Sequence, residues 1–173
     1  KKLEVLPKKS YAKIELMQEA LFALNNQFKV CIFDGGIGNS HALNQWVNEI
    51  IPEDVTSLHP SLLAHGSEVC STYLFGPYIN EQLGTPYTNV DIVRVLSPDD
   101  DDPDLFDVLT RIENVLKQKK YKYINLSLGP RMSVEDDDVH VWTSVLDQYL
   151  QDGSCLATVA IGNDGELPGE LSR

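Results

Sequence analysis

Apolar positions along this chain switch between a helical and a strand-like spacing. From Tyr11 to Asn26, Ile14, Leu16, Met17, Ala20, Leu21 and Leu24 form a stripe of helical period. The next run, Phe28–Phe33, is short, apolar and rich in β-formers, and it stops at Asp34-Gly35-Gly36. That pattern predicts a buried strand ending in a tight turn. The same unit then recurs. Val90–Leu96 reads as a strand and Asp104–Lys119 as a helix with Leu105, Val108, Leu109, Ile112, Val115 and Leu116 on one face. Tyr123–Leu128 is the next predicted strand, Asp138–Leu150 a helix, and Cys155–Ile161 a further strand.

Strands alternating with helices predict an α/β fold with a mainly parallel sheet and helices on both faces. The segments Glu53–Ala64 and Tyr78–Asn89, each broken by Pro or Gly, read as surface loops. The chain divides into a helical extension over residues 1–27 and an α/β portion over residues 28–173. In such sheets, ligands and chemistry gather outside the carboxyl ends of the strands. Attention therefore falls on Asp34, Ser97, Ser127–Gly129 and Gly162–Asn163.

Composition narrows the partners. The formal net charge is -12, with acidic runs at Asp99–Asp102 and Glu135–Asp138. Nucleic acid and anionic membrane surfaces would be repelled, so neither is expected as a partner. No apolar stretch approaches the ~18 residues needed to span a bilayer. Cys31, Cys70 and Cys155 give an odd count inside apolar segments, which favours buried free thiols in a reducing compartment, the cytoplasm. The acidic runs offer the hard oxygen ligands that calcium prefers. Each precedes a predicted helix, however, where negative charge is favourable without any metal, so no metal site is assigned.

Three positions carry candidate chemistry. Asp34 ends a buried strand, where a carboxylate can orient an imidazole, although a turn former, a metal ligand or a phosphoacceptor fits there too. His65 is followed by Gly66 and by a helical segment from Val69 to Leu74, which suits a general base held near a helix amino end. His41, His59 and His140 read as ordinary surface or core residues. Asn163, between Gly162 and the Asp164-Gly165 pair, is either a turn device or an amide donor to a developing oxyanion.

Taken in order, four segments resemble the subtilisin-like serine proteases, the subtilase family: Asp34-Gly35-Gly36, His65-Gly66-Ser67-Glu68-Val69, Asn125-Leu126-Ser127-Leu128-Gly129 and Gly162-Asn163-Asp164-Gly165. The resemblance runs from about Phe28 to Gly165 and implies the amino-terminal part of a three-layer subtilisin-like fold. It implies a serine endopeptidase working through an Asp-His-Ser triad on peptide or protein substrates, with no cofactor beyond the calcium that some members bind. Asp34 is then the triad aspartate, His65 the general base and Asn163 the oxyanion donor, while Ser127, Leu128 and Gly129 would pair with substrate and line its pocket. The family's nucleophile lies in a downstream Gly-Thr-Ser stretch with no counterpart up to Arg173. The serine is therefore expected beyond this chain, and the remaining carboxyl-terminal part of the same domain becomes an expected partner.

The sequence also departs from the family pattern. Gly35 replaces Ser or Thr, Ser67 replaces Thr, and Cys70-Ser71 replaces Ala-Gly. A catalytically inactive subtilase-like module that binds a peptide or protein partner is the competing reading. A nucleotide-binding domain built on Gly35-Gly36-Ile37-Gly38 fails, because the glycine spacing is wrong and no P-loop lysine follows.

Overall fold

A computed structural model of the chain describes residues 27, 30–38, 42–76, 85–130 and 138–160. Five strands form one sheet: β1 (Val30–Asp34), β2 (Val47–Ile50), β3 (Val90–Arg94), β4 (Tyr123–Leu126) and β5 (Leu156–Val159). Their spatial order is β2-β3-β1-β4-β5, and every pairing is parallel. Three α-helices provide crossovers: α1 (Pro60–Phe75), α2 (Phe106–Leu116) and α3 (Val141–Leu150). A short 3-10 turn at Ala42–Gln45 leads into β2. The α/β class, the parallel sheet and the helices on both faces agree with the pattern of the sequence.

Alternation along the strands sorts the core onto the two faces. Val30 and Ile32 of β1 join Val90 and Ile92 of β3, and α1 covers them with Cys70 and Leu74. Cys31, Phe33 and Val93 point the other way, against Val108 and Ile112 of α2 and Trp142 of α3. β1 lies in the middle of the sheet, and each of its five residues is buried, Asp34 included. A charged side chain is thus carried to the centre of the fold by an otherwise apolar strand.

Several boundaries differ from the sequence expectation, each for a local reason. β2 was not anticipated, because Val47–Ile50 is short and has only one buried residue. The segment read as a loop over Glu53–Ala64 is helical from Pro60. Pro60 occupies the first helical turn, where its missing N–H costs nothing, and His59 caps the end by accepting from Ser61 N at 3.3 Å. His65 is therefore the sixth residue of α1, inside the helix rather than ahead of a helical segment beginning at Val69. His140 plays the same capping part for α3, accepting from Trp142 N at 3.3 Å.

The first acidic run also differs from a solvated loop. Asp100 is partly buried and accepts two hydrogen bonds from Arg111 of α2, at 2.7 and 2.9 Å, and one from Ser97 N at 2.8 Å. Asp102 accepts from Asp104 N and Phe106 N and so caps α2. These carboxylates serve the fold through internal partners. The expected helix Tyr11–Asn26 and the residues Glu135–Asp137 lie outside the described residues, so the proposed extension over residues 1–27 does too, apart from Gln27.

Candidate active site

Asp34 closes β1 at the carboxyl edge of the sheet, with its side chain fully buried. Its Oδ1 accepts from its neighbour Gly35 N at 2.7 Å and from His65 Nδ1 at 2.9 Å. Among the described residues, its buried Oδ2 has no hydrogen-bond partner. His65 reaches Asp34 from α1, and 48% of its side chain is exposed. The hydrogen bond that His65 donates to Asp34 raises the His65 pKa above its ordinary 6.5; partial burial opposes this, while the charges of Asp34 and Glu68 reinforce it. With Nδ1 donating to the carboxylate, the other ring nitrogen is left as an acceptor.

The approach of α1 to β1 depends on small residues. A Cβ at Gly66 would collide with the Gly36 carbonyl oxygen. A Cβ at Gly35 would come within 2.6 Å of the Leu62 carbonyl oxygen. The departure at position 35 thus has a structural cause: the helix lies too close for Ser or Thr. Gly36 adopts φ +87, a left-handed conformation that glycine accepts without strain. Ser67, the second departure, is buried and donates to Leu63 O at 2.7 Å. Cys70 is fully buried in the core beneath α1, and burial drives its thiol pKa well above the ordinary range, as it does for Cys31. Such thiols are packing groups rather than nucleophiles.

His65 also opens onto a cavity of about 350 Å³ between α1 and the end of β4, lined by His65, Glu68, Val69, Tyr73, Asn125 and Ser127 among others. Asn125 donates to Ser127 Oγ at 2.9 Å and accepts from Thr158 of β5 at 2.8 Å, which ties the cavity floor together. The remaining expected residues fall elsewhere. Leu128 packs against the cluster under α2 and α3, on the opposite face from Ser127. Gly129 is exposed, with nothing near the position of a Cβ. Asn163 lies outside the described residues. The geometry therefore joins Asp34 to His65 and sets Ser127 beside the same cavity.

Two residues of this region were not picked out from the sequence. Arg94 ends β3 level with Asp34 in the strand register and is 5% exposed. It donates to Glu49 Oε1 of β2 through Nε at 3.1 Å and Nη2 at 2.6 Å. An arginine inside the apolar run Val90–Leu96 was the available signal, because a buried cation requires an anionic partner.

The sequence profile of the subtilase family matches residues 25–172. The chain belongs to the subtilase family. Solved structures of two such maturation proteases share its fold. The prenylagaramide maturation protease PagA superposes with a TM-score of 0.56 at 20% identity, over 91% of this chain and 52% of that one. The patellamide maturation protease PatA gives 0.56 at 22% identity, over 83% of this chain and 52% of that one. The self-cleaved protease domain of PatA gives 0.55 at 23% identity, over 82% and 52%. This subtilase chain thus spans about half the length of the solved structures it matches. No curated protein sequence matches it.

Proposed function

We propose that this chain supplies the acid-base half of a subtilisin-type serine endopeptidase. The observation that carries the reading is the 2.9 Å contact between the buried Asp34 and the half-exposed His65, at the mouth of a cavity. Asp34 holds the imidazole with Nδ1 as donor, so that Nε2 takes the proton from a serine hydroxyl as it attacks the peptide carbonyl. The same nitrogen then returns that proton to the leaving amine. A pKa raised above 6.5 suits a base that works near neutral pH. Asn163 donates to the developing oxyanion, a contact of a kind worth about 2.7–4 kcal/mol of transition-state stabilisation. Ser127, Leu128 and Gly129 run alongside the extended substrate, with Ser127 toward the cavity.

The serine belongs to a segment following Arg173, and residues 28–173 form the amino-terminal part of one peptidase domain, preceded by a helical extension. The exposed Leu156 and Val159 on the edge strand β5 support further packing at that side of the sheet. Peptides or proteins are the substrates. The three described cysteines are free, which supports the cytoplasm as the compartment. No helix among the described residues is long and apolar enough to cross a membrane.

Labelling of the full-length protein with a fluorophosphonate, read by peptide mass, tests this proposal. The expected result is one adduct on a serine beyond Arg173 that disappears in His65→Ala. A folded full-length protein that takes no label would instead be a peptide-binding module retaining Asp34 and His65 without their chemistry.

A further inference from the structure

The turn after Asp34 is held from two sides. On one side, Gly66 of α1 rests against the Gly36 carbonyl, so the height of this turn sets how far the helix, and His65 with it, stands from Asp34. On the other side is the Glu49 carboxylate. Its Oε1 accepts from Ile37 N at 3.2 Å and its Oε2 from Gly38 N at 3.1 Å. Glu49 is itself gripped by Arg94, and both side chains are nearly buried, 11% and 7% exposed. A Cβ at Gly36 would meet both Glu49 Oε1 and Arg94 Nε, so the turn is seated directly on the pair.

A buried ion pair is a weak source of net stability, because desolvation consumes most of its Coulombic gain. Its value here lies in geometry. Arg94 comes from the strand beside β1 and Glu49 from the strand beyond it, and the carboxylate spans to the turn that follows Asp34. A point fixed by two charges and two main-chain N–H groups has little freedom to drift.

We propose that the Glu49–Arg94 pair is a positioning device for the Asp34–His65 contact, fixing the Gly36–Gly38 turn against which the histidine-bearing helix rests. The inference rests on the reading of Asp34 and His65 as a catalytic pair, although neither Glu49 nor Arg94 touches the reacting groups. Exchanging both for apolar residues of similar length keeps the volume filled and leaves no buried charge unpaired, while removing the acceptor for Ile37 N and Gly38 N.

The test is NMR titration of the His65 imidazole in the full-length protein and in Glu49→Met/Arg94→Met, with circular dichroism confirming that the variant is folded. Among the described residues, the charged group facing His65 besides Asp34 is Glu68, which the variant leaves in place. The expected result is a His65 titration midpoint that falls toward 6.5, with kcat on a peptide substrate lowered about 10- to 100-fold. KM should stay within about twofold, since substrate contacts are untouched. Glu49→Gln, which keeps one oxygen acceptor and the side-chain shape, should lie between the two in both readouts. A folded double variant whose His65 titrates as in the parent, with unchanged kcat, overturns the proposal. Should the parent take no fluorophosphonate label, the catalytic reading fails on its own, and the titration still decides whether the ion pair holds the imidazole.

Discussion

Two aspartates on neighbouring strands show how differently one side chain is used at the two ends of this sheet. Asp91, near the start of β3, is saturated: Lys120 and Tyr121 both donate to its Oδ2 at 2.7 Å, and Asn48 donates to its Oδ1 at 3.0 Å. Asp34, at the end of β1, is buried more deeply yet spends one oxygen on a neighbouring N–H and a histidine, and the other has no partner among the described residues. A carboxylate surrounded by donors is held for the fold. One kept in the core with spare capacity, opposite a half-exposed imidazole, costs stability that packing alone would not justify. On the proposed function, the contrast separates a structural end of the sheet from a reactive one.

The sharpest way to break that contrast is Asp34→Asn in the full-length protein. An amide at this position favours the wrong imidazole tautomer, so kcat/KM should fall by about 10⁴-fold, with the fold retained. A loss below tenfold, measured on a peptide substrate, would remove Asp34 from the chemistry. Gly66→Ala comes next. Its methyl group meets the Gly36 carbonyl oxygen, and α1 must lift away from β1. Such a shift costs about 1–3 kcal/mol of stability and about 100-fold in kcat through misplacement of His65. Wild-type thermal stability and turnover in this variant would show that the helix does not rest where the geometry places it.

At the other end, Asp91→Asn should weaken the fold by about 1–3 kcal/mol, because Lys120 and Tyr121 lose a charged acceptor in a partly buried position. Its turnover number should stay at the wild-type value. Urea unfolding combined with steady-state kinetics makes this check, and a large fall in kcat without loss of stability would erase the distinction between the two ends.

The sequence exposes these two ends unequally. Asp34 and His65 stand in local patterns: a strand that stops at Asp-Gly-Gly, and a His-Gly at close helix contact. The short apolar runs between helical stretches likewise reveal β1, β3, β4 and β5, whether the strand is buried throughout as β1 is or lies at the sheet edge as β5 does. Glu49 and Arg94 are 45 residues apart in sequence, and only the β2–β3 register brings them together. β2 itself has one buried residue in four and leaves almost no periodic trace. The start of α1 was hidden because a histidine, rather than Ser, Thr, Asp or Asn, provides its cap. The partner of Asp100 is equally hidden in the sequence, because Arg111, which neutralises it, sits on the buried stripe of α2.

The smallest expected effect lies in how the two ends respond to pH. His65 has its folded pKa raised above 6.5, so its contribution to stability is fully present below pH 6.5 and is lost as pH rises through the folded value. For Asp91, burial opposes ionisation, but the hydrogen bonds from Lys120, Asn48 and Tyr121 prevail and hold the carboxyl below its ordinary 3.8. Its contribution is present above pH 3.8 and is lost as pH falls through the lowered folded value. The reactive end therefore loosens in base and the structural end in acid. His65→Gln keeps a donor toward Asp34 but does not titrate, so its melting-temperature deficit against wild type should shrink as pH rises from 6.5. The deficit of Asp91→Asn should be constant across that same interval and shrink only below pH 3.8. Thermal melts at a series of pH values make the comparison. Parallel curves for wild type and His65→Gln above pH 6.5 would mean that the imidazole is not held by Asp34 in solution, and the asymmetry between the two aspartates would then rest on burial alone.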